Sequence, residues 1–174
     1  MKNSIIIALS LLVSACATPR NPPQTVSQVN LPRYMGTWYE IASFPNAFQR
    51  GCQCTTAHYQ LNGNQVSILN QCYKGQNYHL SSAKGTAWVV PHSHNSKLRV
   101  QFFWPFKGDY WILYLSKHYQ QVIVGSPNRQ YLWILSRTRT ISRQRYQHLV
   151  HIAKQKGFAT NQLRRTYQGC PKAI

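Results

Sequence analysis

The side chains that most often do chemistry are unevenly supplied in this chain. Only two acids, Glu40 and Asp109, stand in 174 residues. Acid–base work by paired carboxylates needs two of them in one cleft, so so small a stock argues against it. Seven histidines are present: His58, His79, His92, His94, His118, His148 and His151. His92-x-His94 falls in a loop, and His148 and His151 lie one helical turn apart. Either pair could touch a transition metal, but neither has a convincing third ligand, so no metal site is expected. Of the five cysteines, Cys16 stands alone near the N-terminus, leaving Cys52, Cys54, Cys72 and Cys170. Cys52-x-Cys54 is too closely spaced for a zinc knuckle, and no second pair follows it. Four cysteines in an exported chain point instead to two disulfides, with three connectivities open. No catalytic residue and no cofactor is expected.

Export is read from the N-terminus. Lys2 is followed by an apolar run from Ile5 to Val13, too short to span a bilayer, and then by the small residues Ser14 and Ala15 before Cys16. Leu12-Val13-Ser14-Ala15-Cys16 resembles the lipobox of bacterial lipoproteins. The resemblance implies cleavage before Cys16 and a diacylglycerol on its sulfur, a firm anchor once a further acyl chain is added. An ordinary signal peptide cut elsewhere is the alternative. Ala17, rather than Asp, follows the cysteine and favours the outer membrane of a Gram-negative cell. The stretch A-T-P-R-N-P-P-Q-T-V-S-Q-V-N after it is polar and proline-rich, which reads as a flexible tether reaching about 45 Å when extended. The expected organisation is a signal peptide over 1–15, a lipidated N-terminus and tether over 16–30, and one folded domain over 31–174.

Twenty Lys and Arg against two acids give a formal charge of +18. Such charge is either a general basic bias or solvated basic face, or it suits an anionic lipid surface or nucleic acid. An exported, anchored chain rarely meets nucleic acid, so that partner is not expected.

The elements that must position any site are mostly strands. β-rich runs at 38–44, 55–61, 65–72, 79–82, 86–90, 98–103, 110–115, 120–124 and 131–136 are separated by turn residues, with Gly85 read as a bulge or bend. Tight connections between eight or nine strands suit an antiparallel meander closed into a barrel. One helix follows, capped by Ser142, with Ile141 and Tyr146 at staple positions, an apolar stripe of Tyr146, Leu149, Val150 and Ala153, and Gly157 as the stop.

Three motifs in order carry a resemblance. Gly36-Thr37-Trp38-Tyr39, after Tyr34-Met35, resembles the G-x-W motif of lipocalins; Tyr119–Gly125 resembles their second motif and Tyr131–Thr138 their third. The resemblance covers the whole folded part and is nearest to the bacterial outer-membrane and apolipoprotein D-like members. It implies an eight-stranded antiparallel up-and-down barrel with one C-terminal α-helix on its wall. It also implies that Trp38 plugs one end under the guanidinium of Arg137, a cation–π pair of roughly 1–2 kcal/mol. For the cysteines it implies Cys54–Cys170, which leaves Cys52 with Cys72; the swap, Cys52–Cys170 with Cys54–Cys72, stays open.

A sealed barrel is a cup. Counting by twos from Arg137 turns Leu135, Trp133 and Tyr131 inward, and the neighbouring strands offer Ile112 and Tyr114, then Val100 and Phe102. The same count turns Glu40 inward, where burial requires a partner. An apolar and aromatic lining suits an acyl chain. The resemblance implies a fatty acid or lysophospholipid as ligand and storage, transport or envelope maintenance as the role. The competing reading is a filled barrel on a basic surface lipoprotein that holds anionic lipid or polysaccharide electrostatically. Whether the chain forms a homodimer is left open.

Overall fold

The structure, a computed structural model, describes residues 21–171. A single turn of helix, α1 (Leu31–Tyr34), leads into eight strands. They are β1 (Gly36–Ser43), β2 (Cys52–Asn62), β3 (Gln65–Lys74), β4 (His79–Val89), β5 (Lys97–Phe103), β6 (Phe106–Leu115), β7 (Gln121–Gly125) and β8 (Leu132–Ser136). Helix α2 (Arg143–Gln155) follows, then a two-residue strand, β9 (Arg164–Arg165). Each of β2 to β7 pairs antiparallel with the next, β8 pairs with β1, and β1 pairs with β2. That last pairing removes the free edges and makes the sheet a closed barrel.

Alternation along the strands divides the apolar residues into two clusters. One fills the barrel and includes Trp38, Tyr59, Ile68, Ile112, Val124 and Leu135. The other lies outside, between the wall and α2, and includes Ile41, Leu113, Ile123, Ile134, Leu149 and Phe158. The Ser142 hydroxyl accepts the Arg145 N–H at 3.2 Å, capping α2, and Gly157 at φ +83° ends it. No helix among the described residues is long and apolar enough to cross a membrane.

Two expectations change. The first concerns β4, which runs through Gly85 without a bulge, in unbroken register with β3. Gly85 stands there because of a close approach: a Cβ on it would lie 2.8 Å from the Phe102 ring. The second concerns the N-terminal segment. Its described part, residues 21–30, is not a free tether. Val26 N–H donates to the Ile112 carbonyl at 2.9 Å, Val29 N–H to the His94 carbonyl at 3.0 Å, and Asn30 N–H to the Tyr119 hydroxyl at 2.9 Å. Val29 is buried in the interior cluster. Two valines among prolines and amides are enough to dock the strap, a pattern too sparse for periodicity to show.

Because connections alternate ends, α1 and the β2–β3, β4–β5 and β6–β7 turns share one end of the barrel. The β1–β2, β3–β4, β5–β6 and β7–β8 connections share the other. At that second end β1 and β2 diverge, and the C-terminal segment fills the gap. Thr166 N–H donates to the Ile41 carbonyl, and Cys54 N–H to the Tyr167 carbonyl. The Gln168 amide donates to the carbonyls of both Glu40 and Thr55. Disulfides join Cys54 to Cys170 and Cys52 to Cys72.

Candidate functional site

The first end is sealed. Trp38 is fully buried, and its indole N–H donates to the Tyr34 carbonyl at 2.9 Å. The Arg137 guanidinium carbon lies 3.8 Å from the indole centroid. Its Nη1 donates to the Thr37 carbonyl, and its Nη2 is within 3.1 Å of the carbonyls of Arg33, Tyr34 and Met35. Asn30 caps α1, so that helix ends with its unpaired carbonyls facing a cation.

Above the plug lies a layer of tyrosines. The Tyr34 and Tyr110 hydroxyls are 2.6 Å apart, and Tyr110 donates to Tyr59 at 3.1 Å. Burial pushes all three hydroxyls up, Tyr59 to about 12, so they stay protonated and hydrogen-bond as neutral groups. The cavity beside them, bounded by Met35, Ile68, Ala87 and Val100, has about 10 Å³, room for a single water. The base is therefore solid.

Higher in the barrel the inward side chains are less covered. Val100, Phe102 and Trp133 belong to the interior cluster, yet each is only half-buried, because the second end is open to solvent. The wall beside Val100 and Phe102 is made of small side chains. In register with the buried Ala87, β4 places Gly85 and Ala83 on the same face, and Asn70 of β3 lies between Ala57 and Ala83. The Asn70 Oδ1 is buried without a hydrogen-bond partner. At the mouth, Tyr131 stacks on Trp133 with centroids 5.8 Å apart, and Phe48 of the β1–β2 loop packs against Tyr131.

A lipocalin-like domain model matches residues 29–168. The outer membrane lipoprotein Blc of Citrobacter freundii is 38% identical over 161 residues, 90% of each chain. The protein of the same name from Vibrio cholerae is 35% identical over 165 residues, 94% of this chain and 96% of that protein. The chain belongs to the lipocalin family. Among solved structures, insecticyanin from the tobacco hornworm superposes with a TM-score of 0.69 at 19% identity, covering 86% of this chain and 85% of that one. As a lipocalin the chain is a binding protein rather than an enzyme, and its bacterial relatives place it at the outer membrane of a Gram-negative cell.

Among the residues expected to line the lipocalin cup, Val100, Phe102, Ile112, Trp133 and Leu135 lie in the interior cluster. Ile112 is fully buried and Leu135 nearly so, both low in the barrel. Tyr131 sits at the rim. Tyr114 is a correction: it lies on the helix side, its ring 6.3 Å from that of His148. The register shifts between Ile112 and Tyr114, and this bulge puts Leu113 and Tyr114 both outside and returns Leu115 to the interior. Counting by twos cannot see a bulge. Cys16 lies outside the described residues. No group of three or more metal-ligating side chains occurs among the described residues.

Glu40 is buried, and every partner of its carboxylate is neutral. Ser43 donates at 3.0 Å, Gln49 at 2.6 Å and Thr166 at 2.5 Å. Burial raises its pKa, and these three hydrogen bonds oppose the rise. Gln49 also accepts the Trp133 indole N–H at 2.9 Å, so Glu40 holds the β1–β2 loop against the inner wall. Neither Gln49 nor the tyrosine layer was singled out from sequence. Tyr59 could have been found by alternation along β2; Gln49 depends on how a loop folds back and left no signal.

Proposed function

We propose that the chain is anchored through a lipid on Cys16 and holds a single-chain lipid, a fatty acid or lysophospholipid, in the upper half of the barrel. Its role would be to store or move that lipid at the envelope. The observation that carries the reading is the contrast between the two ends: a solid base of Trp38, Arg137 and three tyrosines, and a mouth where inward apolar residues stay half-exposed. The acyl chain would lie between Trp133 of β8 and the small side chains of β3 and β4 across the barrel, Asn70 and Ala83, with Val100 and Phe102 of β5 flanking it. Its polar head would remain near the mouth, where water or a basic side chain can meet it.

Delipidated protein titrated with a fluorescent fatty acid tests this. Saturable binding that is lost in Ala83→Trp, with the fold intact by circular dichroism, supports the cup. Binding that salt abolishes and Ala83→Trp leaves unchanged supports electrostatic attachment to the basic surface instead. Mass spectrometry of lipid extracted with the gently purified protein names the ligand. Intact-mass measurement of the membrane-extracted protein reports whether Cys16 carries the acyl groups.

A further inference from the structure

We propose that the tip of the β5–β6 hairpin, Phe103-Trp104-Pro105-Phe106, seats the barrel's mouth on a bilayer that carries anionic headgroups. The tip is aromatic and stands in solvent: Phe103 is 73%, Trp104 87% and Phe106 77% exposed. Its placement is one-sided. Seven large apolar side chains remain exposed among the described residues, and only Leu61 of them belongs to the sealed end. Phe48, Leu80 and Tyr167 join the hairpin tip at the mouth.

The residue types fit a lipid surface. Tryptophan and phenylalanine partition to the headgroup–acyl boundary, where an aromatic body is buried and a polar edge stays wet. The charge fits as well. Lys107 follows the tip directly, and Arg50, Lys74 and Arg129 stand in or beside the other mouth-end connections. Neither acidic side chain opposes them, since Glu40 is buried and Asp109 is paired with Arg99 at 2.7 Å. Basic residues around an apolar tip attract anionic lipid and hold the tip at its depth. The tip is also a convex point, whereas a stable protein partner needs roughly 800 Å² of matched surface.

The N-terminal strap agrees with this orientation. The Asn21 carbonyl is held at 2.9 Å by Arg129, in the β7–β8 connection at the mouth end. A lipid on Cys16, five residues earlier, could lie no more than about 18 Å from that carbonyl. This last point rests on the proposed anchor; the docking itself rests on the hairpin. Seated this way, the barrel would exchange its ligand with the bilayer without passage through water.

The test uses the full chain reconstituted into vesicles of phosphatidylethanolamine and phosphatidylglycerol with brominated acyl chains. Bromine quenches only indoles that reach the acyl region. The expected result is quenching that falls severalfold in Trp104→Phe, which keeps an aromatic tip and removes the reporter. The combined variant Phe103→Ser/Trp104→Ser/Phe106→Ser is expected to bind fatty acid normally and to transfer it to vesicles severalfold more slowly. Equal quenching in wild type and Trp104→Phe overturns the proposal, as does Trp104 emission equally open to aqueous iodide with and without vesicles. Self-association that the combined variant abolishes also overturns it, by making the tip a protein interface. Failure of the fatty-acid titration alone removes the carrier reading and leaves the docking intact; flotation with vesicles but no quenching of Trp104 leaves the anchor and removes the docking.

Discussion

Arg137 and Trp38 are in cation–π contact at 3.8 Å, and the same guanidinium donates to the backbone carbonyls of Arg33, Tyr34, Met35 and Thr37 at the junction of α1 and β1. The side chain is therefore a hub of hydrogen bonds as well as a charge over a ring. Arg137→Lys keeps the charge and cannot reproduce the fork of donors. It is expected to lower stability by about 1–3 kcal/mol, the penalty for carbonyls left without donors. Urea unfolding measures this. A loss under about 0.5 kcal/mol would mean the carbonyls find water instead.

The two disulfides should differ in weight. Cys54–Cys170 spans 116 residues and Cys52–Cys72 spans 20. In the chain-entropy description these are worth about 5 and about 3 kcal/mol. Cys54→Ser/Cys170→Ser should be the more damaging pair by urea unfolding, and it should also loosen residues 164–168, read as faster amide exchange there.

Burial holds the Glu40 pKa above its ordinary 4.5 in the folded chain. The folded state thus keeps a proton that the unfolded state has released, and stability falls as pH rises from about 4.5 through the folded-state value, then levels. Glu40→Gln should flatten that part of the stability–pH curve. Thermal unfolding across the acid range reads it; an unchanged slope would assign the dependence to another group.

Phe102 lies against Gly85 inside the upper barrel. Removing its ring in Phe102→Ala should enlarge the hollow and shift the preferred fatty acid to a longer or bulkier chain. Ala83→Trp, on the neighbouring strand β4, should weaken binding at least tenfold. A titration series over chain length checks both, and identical profiles in wild type and Phe102→Ala would place the ligand elsewhere.

Leu149 of α2 is fully buried in the outer cluster and touches no part of the hollow. Leu149→Ala is expected to cost about 2–5 kcal/mol of stability and to leave ligand affinity unchanged. Coupled loss of both would show that the helix transmits strain through the wall.

Much of the fold was legible where strands alternate without interruption. β8 pairs with β7 at five successive positions, so counting back from Arg137 placed Leu135 and Trp133 inside. β6 breaks the same arithmetic at Tyr114, where a bulge adds a residue that no composition signal marks. Glu40 could be turned inward from sequence, but Ser43, Gln49 and Thr166 come together only once a loop and the C-terminal segment have folded over it. The strap at 21–30 was hidden because its docking relies on backbone hydrogen bonds, which residue type does not announce. Motif order carried the rest: a tryptophan and an arginine a hundred residues apart could be paired before any strand was drawn.

A stoppered tube has one door, and whatever goes in must back out the way it came. Away from a bilayer the innermost methylenes leave last, each step of withdrawal returning hydrocarbon to water at about 0.8 kcal/mol per CH2. In free solution dwell time should therefore climb roughly fourfold with every carbon that threads past Phe102, until the tyrosine floor stops the chain. The floor's depth, more than any single contact at the rim, then becomes a ruler for how long a guest can be and how long it stays.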